Sequence, residues 1–240
     1  MVTIEIKDLS VKFEDYFVLK NVNDYISKGE IYCIFGPTGA GKTTLLKTMV
    51  GLVFPHSGKI YIEGKNLSKF SQKQMLDFHK NCGFVFQNAA LISNLSIYEN
   101  LSLYYNYHTN MKEKEIYEIS DYYLKQFNFD NDLSLRPASL SIGEKMIVNI
   151  VRAISHDPDY LFFDNPFASL DITNQRKVKK LIFEMKEKNK TIVVVTNDAK
   201  TLFEIADKIA ILEEGVIIEK GNKDEIFNTN NQRVKEILSS

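Results

Sequence analysis

A glycine-rich segment at residues 36–43, Gly-Pro-Thr-Gly-Ala-Gly-Lys-Thr, has the residue types and spacing needed to hold a polyphosphate. It fits the pattern G-x-x-x-x-G-K-[ST], follows an apolar run at 31–35 and precedes a helical pattern at 44–50. Strand, turn and helix in this order point backbone N–H groups and the positive helix end at phosphate oxygens. Lys42 is predicted to reach the β- and γ-phosphates, and the Thr43 hydroxyl to bind Mg²⁺. The residues predicted to contact the phosphates are Gly36, Pro37, Thr38, Gly39, Ala40, Gly41, Lys42, Thr43 and Thr44.

Two more polar residues end apolar runs elsewhere in the chain. The run at 160–164, Tyr-Leu-Phe-Phe-Asp, delivers Asp164, and the run at 81–87 delivers Gln87. Ligands of α/β proteins collect at the carboxyl ends of such strands. A buried strand that carries a carboxylate to the sheet edge beside a phosphate loop is a usual way to hold Mg²⁺. We therefore predict that Asp164 belongs to a metal site.

The bulk composition limits the class of protein. With 240 residues and 44% hydrophobic content, the chain can bury one sizeable core with a smaller subdomain attached. Lys and Arg total 30 against 31 for Asp and Glu, so a nucleic-acid partner is not expected. No apolar run approaches the ~20 residues that span a bilayer, and the acidic N-terminal segment does not resemble a signal peptide. The protein is therefore expected to be soluble and intracellular.

The order of the predicted elements indicates an α/β fold with two attached subdomains. Alternating apolar and polar residues at 3–7 and 18–26 predict a half-exposed antiparallel sheet. Between them lies an aromatic turn at 13–17, whose rings either stack on an adenine ring or simply pack the sheet. A long helical segment later interrupts the β/α alternation. We predict one domain, 1–240, with a nucleotide-binding core and β subdomain at 1–87 and 156–240 and a helical subdomain at 88–155.

Together these motifs resemble those of the ATP-binding cassette family, over nearly the whole chain. Residues 140–144, Leu-Ser-Ile-Gly-Glu, fall where the family has its Leu-Ser-Gly-Gly-Gln signature, and residues 169–171 resemble its D-loop. Phe13 aligns with the aromatic residue that stacks on adenine, and Gln87 with the glutamine of the metal site. The resemblance implies a RecA-like P-loop core that binds ATP and Mg²⁺, with Thr43, Gln87 and Asp164 at the metal.

The resemblance also implies partners. Two cassettes would pair head to tail around two ATP molecules, so that Ser141, Gly143 and Glu144 contact the nucleotide of the opposite site. Closing and reopening of the pair would drive integral membrane permease subunits docked on the Gln87 segment and the helical insertion. The chain would then lie peripherally on the cytoplasmic face of the cell membrane. A homodimer and a heterodimer are both compatible with the sequence.

Three residues depart from the family pattern where its chemistry occurs. Asn165 stands where the family has its general-base Glu, and a carboxamide cannot accept a proton. Asn197 replaces the switch His, and Ile142 replaces the first signature glycine. General base catalysis contributes ~10²–10⁴-fold, so we predict an ATPase of low or absent activity, with Gln87, Asn165, Asp171 and Asn197 at the catalytic positions. The alternative is an active enzyme in which Asp171 or the substrate supplies the missing base.

A finer resemblance concerns the cargo. Short stretches at 86–91, 96–100 and 164–167 resemble the cassettes of Mla/Mce-type lipid transporters. The sequence therefore favours the ATP-binding subunit of a transporter, with lipid as the cargo. The alternative is a nucleotide-gated switch in a non-transport membrane complex of cell division or envelope signalling. A soluble P-loop kinase is disfavoured because it would have no use for the motifs at 140–144 and 169–171.

Overall fold

The computed structural model describes residues 2–239, which form two β-sheets and the helices that cover them. In chain order the strands are β1 (Val2–Phe13), β2 (Tyr16–Ser27), β3 (Ile31–Phe35), β4 (Ser57–Ile62), β5 (Lys65–Asn66), β6 (Cys82–Val85), β7 (Tyr160–Asp164), β8 (Thr191–Thr196), β9 (Lys208–Glu213) and β10 (Val216–Asn222). The α-helices are α1 (Lys42–Met49), α2 (Gln72–Lys80), α3 (Ile97–His108), α4 (Glu113–Gln126), α5 (Ile142–Ile154), α6 (Ile172–Glu187), α7 (Ala199–Ile205), α8 (Lys223–Phe227) and α9 (Gln232–Ser239).

The larger sheet has six strands in the order β10-β9-β3-β8-β7-β6. All neighbouring strands in it run parallel except β10, which pairs antiparallel with β9 at one edge. β3, β7 and β8 are buried at every position, which explains their continuous apolar sequences. Their carboxyl ends lie in register, with Phe35 beside Thr196 and Asp164 beside Val195. The sheet therefore presents the residues that follow these three strands at one common edge.

The smaller sheet is antiparallel, with the strand order β2-β1-β4-β5. Inward and outward residues alternate along β1 as predicted, although β1 and β2 extend further than 3–7 and 18–26 and meet at the aromatic turn. A register shift between Ile6 and Leu9 places Asp8 at φ 50, and this irregularity keeps both Ile6 and Leu9 in the core. The predicted antiparallel subdomain is therefore confirmed.

Two apolar clusters pack on opposite faces of the larger sheet. Cys33 and Phe35 of β3 belong to one cluster, which includes buried residues of α3, α4, α5, α6 and α7. Tyr32 and Ile34 belong to the other, which includes α1 and the inner face of the smaller sheet. This alternation makes β3 the centre of a three-layer arrangement, as the predicted α/β fold requires.

The helical segment between β6 and β7 contains α3, α4 and α5. α3 and α5 each begin with a capping box, in which Ser96 or Ser141 accepts from the third helical N–H and the glutamate there accepts from the cap N–H. α5 is the most extensively buried of the three, and it packs directly against β6. In residues 2–239, no helix is both long enough and apolar enough to cross a membrane.

Candidate functional site

The glycine-rich segment at 36–43 joins the end of β3 to the start of α1, which is the predicted arrangement. Gly36 has φ 151, and a Cβ atom there would collide with the carbonyl oxygen of Leu212. At Gly41, with φ 100, a Cβ atom would lie 2.9 Å from the carbonyl oxygen of Val18. Both positions require glycine because the loop follows the neighbouring backbone so closely.

Lys42 is the first residue of α1 and turns its ammonium group back towards the loop. Nζ donates to the carbonyl oxygens of Gly36 at 2.6 Å and Pro37 at 2.7 Å. Burial lowers the pKa of Lys42, and the nearby charge of Asp164 opposes that shift. A lysine ammonium has three N–H donors. Two bonds to the loop therefore leave one donor for a phosphate oxygen.

Thr43 and Asp164 bring two oxygen atoms together beside the loop. Oγ1 of Thr43 donates to Oδ1 of Asp164 at 2.9 Å. Asp164 is 2% exposed, and burial raises the pKa of its carboxyl group, while the hydrogen bond from Thr43 and the charges of Lys47 and Lys42 act in the opposite direction. A hydroxyl and a carboxylate are hard oxygen ligands of the kind that Mg²⁺ takes beside a nucleotide phosphate. The donor set therefore fits that ion.

A cavity of about 280 Å³ opens over the phosphate loop and brings most of the predicted residues together. The predicted residues that line it are Thr38, Gly39, Ala40, Gly41, Lys42, Thr43, Thr44, Gln87, Asp164, Asn165 and Asn197. Val18 and Val195 also line it, and neither was predicted. The sequence carries no signal for these two residues, because the pattern of an apolar strand is the same whether a residue lines a cavity or packs in a core.

Two asparagines line this cavity together with Asp164. Asn165 directly follows β7 at φ 50, a left-handed conformation that asparagine adopts more readily than most residues, and its N–H donates to the carbonyl oxygen of Val195 at 3.0 Å. Asn197 directly follows β8. Among the cavity-lining residues that the structure describes, Asp164 is the only carboxylate, and it already accepts from Thr43. The wall around Asn165 therefore offers amide groups but no second carboxylate.

Gln87 lies two residues beyond the end of β6, and not at the end of a strand as predicted. The strand ends at Val85 because the next carbonyl, that of Phe86, accepts from the Ala89 N–H at 3.0 Å and from the Asn149 side chain at 2.9 Å. These bonds form a turn in place of a strand ladder. Gln87 nevertheless lines the cavity.

The start of α5 lies outside this cavity. Ser141 and Glu144 form its capping box: the Ser141 hydroxyl accepts from the Glu144 N–H at 3.2 Å, and the Glu144 carboxylate accepts from the Ser141 N–H at 2.8 Å. These bonds, with a further one from Asn131, lower the pKa of Glu144. Ile142 beside them is 72% exposed. The residues predicted to contact an opposite nucleotide therefore lie on a separate surface.

Asp171 lies at the start of α6, next to that surface. Its carboxylate accepts from the Asn174 N–H at 2.8 Å, and this bond lowers the pKa of Asp171. A Cβ atom on Gly143 would lie 3.1 Å from the Ser169 carbonyl oxygen, so the start of α5 lies close to the segment that precedes α6. Phe13 lies at the end of β1, is 50% exposed and does not line the cavity.

A glycine-rich loop between a parallel strand and a helix, with a buried aspartate at the same sheet edge, defines a P-loop nucleotide-binding protein. A family model described as ABC transporter matches residues 19–168. The chain belongs to the ABC transporter family, in which it is an ATP-binding subunit. The fold and the family predicted from the sequence are therefore confirmed.

Individual relatives cover nearly the whole chain. It is 32% identical to the intermembrane phospholipid transport system ATP-binding protein MlaF of Haemophilus influenzae, over 98% of this chain and 89% of MlaF. It is also 32% identical to the L-cystine import ATP-binding protein TcyN of Bacillus subtilis, over 98% of this chain and 92% of TcyN. The dimeric post-hydrolysis state of the ATP-binding cassette MJ0796, bound to ADP and Pi, superposes with a TM-score of 0.85 at 28% identity, covering 92% of this chain and 98% of that cassette.

Proposed function

We propose that this chain binds Mg-ATP and couples the binding, with weak or absent hydrolysis, to integral membrane permease subunits. The observation that carries the proposal is the composition of the cavity. Lys42, Thr43 and Asp164 supply groups for phosphate and metal, whereas Asn165 and Asn197 stand beside them without a charge. A site of this kind can hold a nucleotide better than it can hydrolyse one.

The binding step uses groups that the loop already presents. Backbone N–H groups of residues 38–44 and the free donor of Lys42 hold the β- and γ-phosphates. Thr43, Gln87 and Asp164 hold Mg²⁺, which neutralises phosphate charge when it is bound. Phe13, half exposed at its turn, is proposed to stack on the adenine ring.

The hydrolytic step is where the site is weak. Asn165 can orient a water molecule by hydrogen bonding, but it leaves the proton on that water. Asn197 can donate a hydrogen bond to the γ-phosphate but brings no charge. Asp171, the remaining carboxylate at a predicted catalytic position, caps α6 outside the cavity. The missing base lowers the rate by ~10²–10⁴-fold.

A second cassette is proposed to complete the site. Ser141, Gly143 and Glu144 lie outside this chain's own cavity, and their resemblance to the family signature assigns them to a nucleotide held by another cassette. The similarity to cassettes solved as dimers supports this pairing. The second cassette is either a copy of this chain or a different chain that retains a glutamate at the position of Asn165. We propose that residues 88–155 act as the helical subdomain of the pair.

The membrane partner and the cargo are the remaining parts of the proposal. The chain would lie on the cytoplasmic face of the cell membrane, with its Gln87 segment and helical subdomain against a permease. The relationship to MlaF and the short stretches at 86–91 and 96–100 favour lipid as the cargo. A nucleotide-gated switch of a non-transport membrane complex is the second candidate. It is favoured by Asn165, because slow hydrolysis suits a long-lived bound state.

Calorimetric titration with Mg-ATP tests the proposal, with Lys42→Ala as the matched variant. The wild-type chain should bind Mg-ATP, and Lys42→Ala should bind at least 10-fold more weakly, because a charged hydrogen bond contributes about 1.5–3 kcal/mol. Equal affinities in the two proteins, or no binding by the wild type, would overturn it. Co-purification from the native source then identifies the membrane partner, and a division-type membrane protein there would favour the switch.

A further inference from the structure

We propose that Asn149 and Arg152 of α5 form a clamp that positions Gln87 at the nucleotide cavity. Both residues bond to the backbone of the segment at 86–90, which contains Gln87, and we call the pair the α5 clamp. The inference rests on the proposed function, because Gln87 matters only where Mg-ATP binds. It concerns residues outside the cavity, which act on the nucleotide through another side chain.

Asn149 is the first half of the α5 clamp. It is 0% exposed, in a helix whose other buried residues are predominantly apolar. Its Nδ2 donates to the carbonyl oxygen of Phe86 at 2.9 Å, across 63 residues of sequence. A buried amide is tolerated only where it is hydrogen-bonded. This bond fixes the carbonyl group that immediately precedes Gln87.

Arg152 follows three residues later and faces the same segment. Nη1 donates to the carbonyl oxygen of Ala90 at 3.1 Å, and Nη2 donates to that of Ala89 at 3.2 Å and to Oδ1 of Asn149 at 3.1 Å. In residues 2–239, no carboxylate lies within ion-pair distance of this guanidinium. Three of its five N–H donors therefore bond to these oxygens.

The segment needs such support because its backbone is strained. Ala89 has φ 59 and Ala90 has φ 44, so two consecutive alanines adopt the left-handed conformation that non-glycine residues avoid. Strain of this kind persists only where the surrounding structure over-determines it. Arg152 binds the carbonyl groups of these two residues. The α5 clamp therefore supports the strained turn on one side of Gln87 and the end of β6 on the other.

The clamp also connects two parts of the proposed site. α5 begins at the exposed surface around Ser141, close to the Ser169 carbonyl oxygen, and Asn149 near the middle of the helix bonds to the Gln87 segment. Gln87 itself is exposed and lines the cavity. A change in the position of α5 would therefore move the backbone that carries Gln87.

Hydrogen exchange tests whether the clamp orders this segment. Asn149→Ala and Arg152→Met should each speed amide exchange in residues 87–90 by about fivefold or more, the factor that corresponds to ~1 kcal/mol for a lost hydrogen bond. Asn100→Ala is the matched control: Asn100 is equally buried and bonds to the backbone of Ile92 and Ser96. It should speed exchange around 92–96 only. Unchanged exchange at 87–90 in both clamp variants would overturn the inference.

Nucleotide titration tests whether the clamp acts through Gln87. The measured quantity is the ratio of ATP affinities with and without Mg²⁺. Asn149→Ala should lower this ratio by about fivefold and should have no further effect once Gln87→Ala is present, whereas Asn100→Ala should leave the ratio unchanged. Equal effects with and without Gln87 would overturn the positioning role. Failure of the proposed function is seen separately, as a wild-type chain that does not bind Mg-ATP at all.

Discussion

Asn165 and Asn197 each directly follow a fully buried strand, so the backbone of the larger sheet fixes their positions at the cavity. The chemistry of the side chain can therefore change there without a change in the fold. At Asn165 the left-handed backbone, with φ 50, suits asparagine better than glutamate. The position thus combines a favourable local conformation with a side chain that cannot accept a proton.

Restoring a carboxylate at this position should restore turnover. We expect Asn165→Glu to raise steady-state ATP hydrolysis by about 10²-fold, the lower end of the contribution of a general base, because Asn197 still brings no charge. The variant should melt slightly below the wild type, since glutamate is less suited to a positive φ. Asn165→Gln is the control, because it has the same length and no base. Similar rates in all three proteins would contradict this role for the position.

Replacing Asp164 is expected to have opposite effects on folding stability and on Mg²⁺-dependent ATP binding. Burial raises its pKa in the folded chain, so ionisation is harder there than in the unfolded chain, and the ionised form reduces stability as pH rises through the raised value. Asp164→Asn should therefore increase the free energy of unfolding at pH 7 in the absence of nucleotide, and this gain should shrink as pH falls. The same variant should lose the Mg²⁺ dependence of ATP binding. Urea titrations at several pH values measure the free energy of unfolding of both proteins. A variant that is less stable than the wild type at pH 7 would contradict this prediction.

At the scale of elements, a buried ionic group joins the smaller sheet to the larger one. Oδ1 of Asp24 in β2 lies 2.6 Å from Nζ of Lys208 in β9, and Oδ2 accepts from the Tyr32 hydroxyl of β3 at 2.6 Å. Burial and the Asp24 charge raise the pKa of Tyr32 well above its usual range. The Asp24 carboxylate is therefore the centre of this network, and its removal would leave the Lys208 ammonium group buried without a counter-charge.

Removing this carboxylate should be costly. Asp24→Ala should lower the free energy of unfolding by about 3–5 kcal/mol, because Lys208 is then buried without its partner, and adding Lys208→Met should recover much of the loss. The more exposed pair Lys186–Asp207 is the control, and Lys186→Met should cost no more than about 1 kcal/mol. Urea denaturation measures all of these changes. Equal losses for the buried and the exposed pair would rule out this role of Asp24.

Elements with strong apolar runs were predictable to the residue. β3 and β7 have the predicted bounds because continuous burial on both faces gives them a continuous apolar sequence. Helix ends were harder to predict. α1 begins at Lys42, before the predicted residue 44, and ends at Met49, before the predicted residue 50. Contacts across the sequence were also hidden: the Asp207 carboxylate accepts from the Ile31 N–H at 2.9 Å, a contact with no local signal.

The cavity was predictable where chain order alone decides the geometry. The carboxyl ends of parallel neighbours meet at one edge, so the phosphate loop and Asp164 were expected together, whereas Asn165 and Asn197 were assigned from their positions in the family's motifs. Contacts between a side chain and a distant backbone were not predictable. The bond from Asn149 to the Phe86 carbonyl spans 63 residues, and a lone asparagine in an apolar helix does not indicate its acceptor.

At the scale of the whole molecule, the separate surface at the start of α5 predicts assembly. Mg-ATP should double the mass measured by light scattering if the second cassette is a copy of this chain, and Lys42→Ala should remain a monomer. Ser141→Arg should also remain a monomer, although it keeps its own phosphate loop. A wild-type chain that binds Mg-ATP and stays monomeric would contradict the homodimer and favour a different second cassette.

The rate at which bound ATP is converted to ADP in a single turnover tests most directly whether the cavity lacks a general base. Protein in excess is mixed with a trace of labelled Mg-ATP, quenched over time and assayed for ADP. Wild-type protein should keep bound ATP intact far longer than the fraction of a second expected at a typical turnover of about 10 s⁻¹, and Asn165→Glu should convert it faster. Rapid conversion to ADP by the wild-type chain would contradict a cavity that lacks a proton acceptor.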